Sequence, residues 1–140
     1  MSKVEFFVTP GYGDRNLEKF HYSQAVKIGN RVEISGQGGW NNDYEFPNSI
    51  KEQIVQAFEN VERTLALAGA SWKDVVHVNS YHVPTAPDSI GEEHISTMTD
   101  QFRKYMGARA PIWTCIGVTS LGEPNMRVEI RVTVIIADEA

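Results

Sequence analysis

Cysteine is nearly absent from the 140-residue sequence, which contains a single one, Cys115. One cysteine cannot form a disulfide within the chain, and it cannot supply the several thiolates of a structural zinc site. Low cysteine usage is typical of a reducing compartment. The sequence also has no apolar run of about 18 residues and no basic start followed by a long apolar segment. We therefore expect a cytoplasmic protein that has no membrane partner.

Basic residues are also scarce: 13 Lys and Arg face 18 Asp and Glu, for a net charge of −5. Nucleic-acid affinity comes mainly from Lys and Arg that neutralise phosphates, so we expect no nucleic-acid partner. The four histidines do not have the spacing of metal ligands, and we expect no metal. With 41% hydrophobic and 22% charged residues, the composition is typical of one globular domain, which we expect to cover residues 1–140.

Six strands are predicted: one from a short apolar run, two from the turn that they flank, one from its density of β-branched residues, and the last two from alternation of apolar and polar residues. An irregular loop is expected from Pro10, and Gly29-Asn30 predicts a two-residue hairpin turn. The last two strands are separated by a short turn-rich segment, which predicts a second hairpin. One face of that hairpin would carry Trp113, Cys115 and Glu129. The six predicted strands are residues 4–9, 22–28, 31–35, 75–83, 111–118 and 127–136.

Two amphipathic helices are predicted from apolar residues that recur every three or four positions. The first covers residues 47–68 and ends before Gly69. The second covers residues 92–106, with Ile95, Met98 and Phe102 facing inward. The order strand, hairpin, helix, strand, helix, hairpin predicts an α+β fold with two helices on one sheet face. The other sheet face is left uncovered, which favours a partner subunit.

Three features of the sequence are candidates for chemistry. Glu129 lies in the middle of a strand, where a carboxylate is disfavoured unless it pairs with a cation, such as Arg127 or Arg131, or takes part in catalysis. Both interpretations stay open. Cys115 is more typical of a small buried side chain than of a nucleophile. The glycine-rich segment that begins at Gly36 is more typical of an ordinary loop, although its glycines also allow the backbone to pass close to a neighbouring chain or a ligand.

Several short motifs occur in a specific order along the chain: YSQAV at residues 22–26, SGQ at 35–37, CIGV at 115–118 and VEI at 128–130. In this combination the sequence resembles the RidA/YjgF family of reactive-imine deaminases, also called the L-PSP endoribonuclease family. The resemblance covers nearly the whole chain and includes positions on the first long helix, among them Gln53, Ala57, Asn60 and Val61.

The resemblance implies a chorismate-mutase-like α+β fold, with about six mostly antiparallel strands, that assembles as a homotrimer. It also implies small-molecule clefts between subunits, where enamines and imines such as 2-aminoacrylate are hydrolysed to 2-oxoacids and ammonia without a cofactor. By the family's motif, the catalytic residues are Glu129, which holds the attacking water, and Tyr22. The implied substrate-binding residues are Gly36, Trp113, Thr114 and Cys115.

The sequence departs from the family at the position two residues before the cysteine. Deaminase members have an arginine there that binds the substrate carboxylate, whereas this chain has Trp113. Arg109 lies four residues upstream, a distance of about 13 Å along a strand. Two hypotheses follow. The protein is a hydrolase of a larger or uncharged imine, with Trp113 as a flat apolar wall, or it is a non-catalytic binding or interaction protein that retains the trimer. The acidic composition gives little support to ribonuclease activity.

Overall fold

The computed structural model describes residues 3–137. It contains three helices and one mixed sheet, which confirms the predicted α+β class. The helices are α1 (Tyr12–Phe20), α2 (Ile50–Leu67) and α3 (Glu92–Met106). The strands are β1 (Val4–Phe7), β2 (Ala25–Ile28), β3 (Arg31–Ile34), β4 (Gln37–Gly38), β5 (Val75–His82), β6 (Ile112–Gly117) and β7 (Val128–Ile135).

The strands lie in the order β1-β2-β3-β7-β5-β6, and the two-residue β4 also pairs with β7. Every pairing is antiparallel except that of β5 with β6, so the expectation of a mostly antiparallel sheet is correct. The predicted hairpin joins β2 to β3. Gly29 has a φ of +61° in its turn, a conformation that glycine adopts without steric cost.

Helices α2 and α3 cover one face of the sheet, as predicted. The inward stripe of α2 is fully buried and packs on the strands, and each such side chain contributes on the order of 1.5–3 kcal/mol. The Ser49 side chain begins α2 by accepting the backbone N–H of Glu52 at 3.2 Å. Gly69 follows the helix with a φ of +77°. The buried stripe consists of Ile54, Phe58, Val61 and Leu65.

Helix α1 occupies the segment for which an irregular loop was expected. Its first turn is held by the Asp14 carboxylate, which accepts the backbone N–H of Gly11 at 3.0 Å. The helix ends at His21, whose φ is +58°. Tyr12 and Asn16 are its buried side chains. Because the segment has few apolar residues and two glycines, periodicity could not reveal a helix that is stabilised by a cap and one buried tyrosine.

The predicted hairpin of β6 and β7 is wrong, because β5 lies between them. β5 pairs with β7 on one side and in parallel with β6 on the other. The predicted shared face is wrong for the same reason. The side chains of Trp113 and Cys115 lie on the helix-covered face, in register with the core residues of β5, whereas Glu129 lies on the open face.

Helix α3 is also rotated relative to the prediction. Met98 is fully buried and Phe102 packs on the core, as expected, but Ile95 is 37% exposed. His94 takes the inward position instead and is completely buried. Its Nδ1 lies 3.0 Å from Nδ1 of His82, which is buried on β5. The hydrogen bond between the two rings fixes the rotation of the first turn of α3.

The open face of the sheet retains large exposed apolar side chains, mainly on its two edges. Phe6 on β1 and Ile112 on β6 are the most exposed of them, at 68% and 66%. Both edge strands therefore present unpaired backbone and apolar side chains together. Among residues 3–137, no helix is both long and apolar enough to cross a membrane. The exposed apolar side chains of this face are Val4, Phe6, Ile28, Ile112, Ile116 and Ile135.

Candidate functional site

The Glu129 side chain lies directly against the glycine-rich segment. A Cβ atom on Gly36 would overlap the Glu129 carboxylate, and Gly38 pairs with Glu129 in the β4–β7 register. Gly36 therefore leaves the space that the carboxylate occupies. The close approach is to a side chain of the same chain, and it brings together Gly36 and Glu129 from separate motifs.

Within the described part of the chain, Glu129 is not paired with a cation. Arg131 is directed instead to Glu33, at 3.5 Å. The structure therefore does not support the alternative in which Arg127 or Arg131 neutralises Glu129. Burial raises the pKa of the Glu129 carboxyl above its ordinary value, because desolvation disfavours the charged form.

Tyr22 lies beside Glu129, after the end of α1. Its pKa is raised first by burial and then by the charge of Glu129, and a hydrogen bond with Gln24 lowers it in part. The phenol therefore keeps its proton at neutral pH and can donate a hydrogen bond. Gln24 is itself held by Gln37, whose Nε2 donates to Gln24 Oε1 at 3.0 Å. The glutamines of the YSQAV and SGQ motifs thus bind each other in the interior, close to the tyrosine in sequence and in space.

Tyr22 and Glu129 share a cavity of about 210 Å³ next to the loop that follows β4. Aromatic side chains form half of its lining residues. A second cavity of about 530 Å³ lies on the other side of Tyr22 and includes Ser35 and Arg131. The residues that line the smaller cavity are Phe20, Tyr22, Trp40, Tyr44, Gly122, Glu123, Met126 and Glu129.

Helix α2 holds both loops that border the smaller cavity. The Asn60 amide donates to the carbonyls of Gly38 and Trp40, at 2.8 Å each. The Gln53 amide donates to the Asn125 carbonyl at 2.8 Å and accepts the backbone N–H of Arg127 at 2.9 Å. The sequence resemblance included Asn60 and Gln53 but assigned them no role. A polar residue at an inward position of an apolar helix stripe was the signal that could have revealed these clamps.

Trp113, Thr114 and Cys115 lie away from this cavity in the same chain. They are on edge strand β6, two strands from β7 and therefore about 10 Å from it. The Trp113 indole packs edge-on against Phe102 and donates to Ser80 Oγ at 2.9 Å. Thr114 is on the open face. Burial raises the pKa of the Cys115 thiol, so the thiol is not activated as a nucleophile.

Among residues 3–137 there is no group of three or more His, Cys, Asp or Glu side chains placed to hold a metal ion. The groups at the cavity that can transfer protons or donate hydrogen bonds include the Glu129 carboxyl with its raised pKa and the protonated Tyr22 phenol. Such groups can orient a water molecule, accept its proton and return that proton to a leaving group.

The sequence of the chain is similar to that of known proteins along most of its length. A sequence model of the family described as Endoribonuclease L-PSP matches residues 15–136. The chain is 31% identical over 109 residues to the RutC family protein YjgH of Escherichia coli K12, covering 78% of this chain and 79% of that protein. It is 32% identical over 117 residues to a 2-iminobutanoate/2-iminopropanoate deaminase of Dermatophagoides farinae, covering 82% and 85%.

Solved structures agree with the sequence relatives. The crystal structure of RidA from the Antarctic bacterium Psychrobacter sp. PAMC 21119 superposes with a TM-score of 0.72 at 31% identity, covering 82% of this chain and 88% of that one. The YjgF-type α+β fold expected from the sequence is confirmed. With the family model matching most of the chain, the protein belongs to the RidA/YjgF family, whose sequence model is described as Endoribonuclease L-PSP.

Proposed function

We propose that the protein hydrolyses the C=N bond of a small imine or enamine at the cavity that Tyr22 and Glu129 share. The observation that carries the proposal is the Glu129 carboxylate, which lies against Gly36 without a cation and with a raised pKa. A carboxylate held in this way has the basicity of a general base and is not consumed by a structural ion pair. The imine deaminase of Dermatophagoides farinae supports the same class of reaction.

The proposed reaction has two steps. In the first step, Glu129 accepts a proton from a water molecule while the water oxygen bonds to the C=N carbon, and Glu129 then gives this proton to the nitrogen, which yields a neutral carbinolamine. In the second step, Glu129 removes the hydroxyl proton of the carbinolamine and passes it to the nitrogen as the C–N bond breaks, so the products are a carbonyl compound and ammonia and Glu129 is ionised again. Tyr22, which keeps its proton, donates a hydrogen bond to the water or to the reacting nitrogen. An imine carbon is already electrophilic, so no metal is required for the attack.

We propose further that the working site forms between subunits of a homotrimer. Trp113, Thr114 and Cys115 lie about two strands from Glu129 in their own chain, so only the edge strand β6 of another copy could bring them to the cavity. The exposed apolar side chains of the open sheet face support such a contact. A location in the cytoplasm stays a prediction from the sequence.

The test is an assay of ammonia release from imines that are generated enzymatically in the same vessel, compared with their spontaneous hydrolysis. Glu129→Gln should lower kcat at least about 100-fold, because the amide cannot accept the water proton. Glu18→Gln is the matched control, since it removes the same charge from an exposed position of α1. Equal activity of Glu129→Gln and the control would refute the role of Glu129. Absence of activity for all imines would favour a non-catalytic binding protein.

A further inference from the structure

The cavity beside Glu129 combines aromatic walls with carboxylates. Phe20, Tyr22, Trp40 and Tyr44 contribute rings, and Glu123 and Glu129 contribute the two charged groups. Among residues 3–137, no lysine, arginine or histidine lines it. Burial first, and then electrostatic coupling to Tyr22 and the charge of Glu123, raise the pKa of the Tyr44 phenol to about 12, although Arg15 opposes the shift. Tyr44 is therefore neutral at physiological pH.

The aromatic wall is fixed before any ligand binds. The Trp40 ring is 2% exposed and stacks on Tyr44, with centroids 5.0 Å apart and planes inclined by 17°. Phe46 packs edge-on against both rings. The Arg15 guanidinium lies 3.8 Å from the centroid of Tyr44, and the Asn60 amide binds the Trp40 carbonyl. A wall that is ordered in advance costs little conformational entropy when a ligand packs on it.

Trp40 also has a buried indole N–H without a hydrogen-bond partner among residues 3–137. Buried donors in native proteins are nearly always paired, and the exceptions concentrate at functional sites. The Trp40 N–H is enclosed by protein atoms, so the ligand preference follows from the aromatic and acidic lining of the cavity. The cavity volume of about 210 Å³ is below the range of drug-sized pockets and fits a molecule of one ring with a short chain.

The charges of the wall select against anions. A ligand carboxylate would lie near Glu123 and Glu129. The Arg15 guanidinium lies over the Tyr44 ring and does not line the cavity. A positively charged nitrogen group would instead be attracted by the two carboxylates, and a neutral one would not be repelled. An apolar or aromatic substituent would be removed from water against the Trp40 and Tyr44 wall.

The geometry points to a ligand class: we propose that this cavity takes an imine or iminium that bears an aromatic or large apolar group and no carboxylate. The C=N chemistry rests on the proposed function, whereas the preference for an uncharged or cationic aromatic ligand rests on the lining of the cavity alone. The two can therefore be tested separately.

The first experiment compares two imines that differ by one carboxylate. A flavin amine oxidase converts 2-phenylethylamine to an aldimine, and an amino-acid oxidase converts phenylalanine to 2-imino-3-phenylpropanoate. Ammonia release is followed with and without the protein. We expect kcat/KM to be at least about tenfold higher for the aldimine, which corresponds to about 1.4 kcal/mol. Equal values, or a preference for the carboxylate-bearing imine, would overturn the inference and leave the proposed function intact.

The second experiment measures binding without turnover. Ligand-observed NMR titrations with 2-phenylethylammonium and with 3-phenylpropanoate should give a Kd at least about tenfold lower for the cation. If the cation binds in this way while no imine is hydrolysed, the ligand class stands and the proposed function fails. If the anion binds as tightly as the cation, the ligand class fails whatever the assay shows.

Two variants and one control test whether the preference for the cation over the anion arises in this cavity. Glu123→Arg replaces a lining carboxylate by a cation and should shift the ratio of the two binding constants toward 3-phenylpropanoate by about tenfold. Glu92→Arg makes the same change of charge at an exposed position of α3 and should leave the ratio unchanged. Tyr44→Ala should weaken both ligands by removing the stacked wall. Melting curves identify any variant that is not folded. An unchanged ratio in folded Glu123→Arg would overturn the assignment of the ligand to this cavity.

Discussion

Glu129 is a strand residue whose burial is not compensated by a cation. Its pKa is raised in the folded state, so between its unfolded and folded pKa values the folded chain binds more protons than the unfolded chain. Stability contributed by this group is therefore present at low pH and lost as pH rises through the folded pKa. At neutral pH the charged carboxylate lowers the stability of the folded state. Destabilisation of this kind is typical of residues that act as bases in functional sites.

Glu129→Gln should therefore leave the free energy of unfolding at pH 7 unchanged or raised, within about 1 kcal/mol. The measurement is urea unfolding at pH 7 and at pH 4.5. The difference between the variant and the unmodified chain should shrink at the lower pH, where the carboxyl is partly protonated. A large loss of stability at pH 7 would show that Glu129 has a cationic partner in solution, and the ion-pair interpretation would return.

Asn60, unlike Glu129, should stabilise the fold. Its amide is fully buried, and both its nitrogen and its oxygen make hydrogen bonds. Asn60→Ala would leave the carbonyls of Gly38 and Trp40 without their donor. We expect a loss of about 2–4 kcal/mol in the free energy of unfolding, since two buried acceptors lose their partner and a small void remains. Gln56→Ala is the control, because Gln56 is half-buried on the same helix and contacts the Asn60 side chain at 3.1 Å. It should cost less than about 1 kcal/mol.

Helices and strands with strong periodicity could be predicted from the sequence, and those that depend on distant contacts could not. The α2 stripe and the Gly29 turn follow from local rules of burial and backbone conformation. Helix α1 depends on one cap and on Tyr12, which is buried against Thr64 of α2. The position of β6 beside β5 depends on a crossover that alternation along a strand does not encode.

The candidate site could be predicted in part for the same reason. Tyr22, Gly36 and Glu129 belong to separate motifs, and the antiparallel pairing of β4 with β7 brings Gly36 and Glu129 together. The aromatic wall was missed because Trp40 and Tyr44 lie in an irregular loop without periodicity. The face of Trp113 was predicted incorrectly because the expected hairpin would have paired β6 directly with β7, whereas β5 lies between them and sets the register of β6.

The contact between β5 and α3 contains two buried histidines, His82 and His94, whose rings are bonded to each other. Burial, and then the nearby His94, lower the pKa of His82 to about 4. The pKa of His94 is also lowered by burial, although the Val83 carbonyl and Glu93 oppose the shift and Arg127 adds to it. Both rings are therefore neutral in the folded chain at pH 7.

Acidification should weaken the fold through this pair. A lowered histidine pKa means that the unfolded chain binds more protons, so stability is present above about pH 6.5 and is lost as pH falls toward about 4. The loss due to His82 is on the order of 3 kcal/mol at most. The double variant His82→Asn/His94→Gln should flatten the dependence of the melting temperature on pH over this interval. His21→Gln, at an exposed position, should not. Identical slopes for all three proteins would contradict the prediction.

The whole molecule leaves one sheet face and two edge strands uncovered. Phe6 is 68% exposed on that face, which is unusual for an aromatic side chain in a monomer. We expect light scattering to give a mass of about 47 kDa, three times the chain mass of 15.7 kDa. Phe6→Glu should shift the mass toward one chain, because a carboxylate cannot be buried unpaired in an interface.

Leu67→Glu is the control for this measurement, since Leu67 is 37% exposed on α2, on the helix side of the sheet. It should keep the mass of the unmodified protein. A mass near one or two chains for the unmodified protein would refute the trimer, and with it the proposal that β6 of another copy completes the cavity.

Trp113 connects the assembly to the chemistry. A bidentate arginine at this position would contribute about 1.5–3 kcal/mol to binding a carboxylate, which corresponds to roughly ten- to a hundredfold in affinity. An indole has one N–H donor and no charge, and here that donor is already bound to Ser80. We therefore expect the unmodified protein to hydrolyse 2-iminopropionate slowly or not at all, as measured by pyruvate release from enzymatically generated 2-aminoacrylate.

Trp113→Arg should raise that rate roughly ten- to a hundredfold if β6 of a neighbouring copy faces the cavity. The substitution also removes the packing of the indole on Phe102, so a moderate fall in the melting temperature is expected. Trp113→Leu separates the two effects, because it removes the indole without adding a cation and should not gain activity. A gain in both variants would show that the indole only blocks access. Rapid hydrolysis by the unmodified protein would show that another cation binds the carboxylate, and Arg109, which donates to the Lys73 carbonyl at 2.5 Å, would be the next residue to replace.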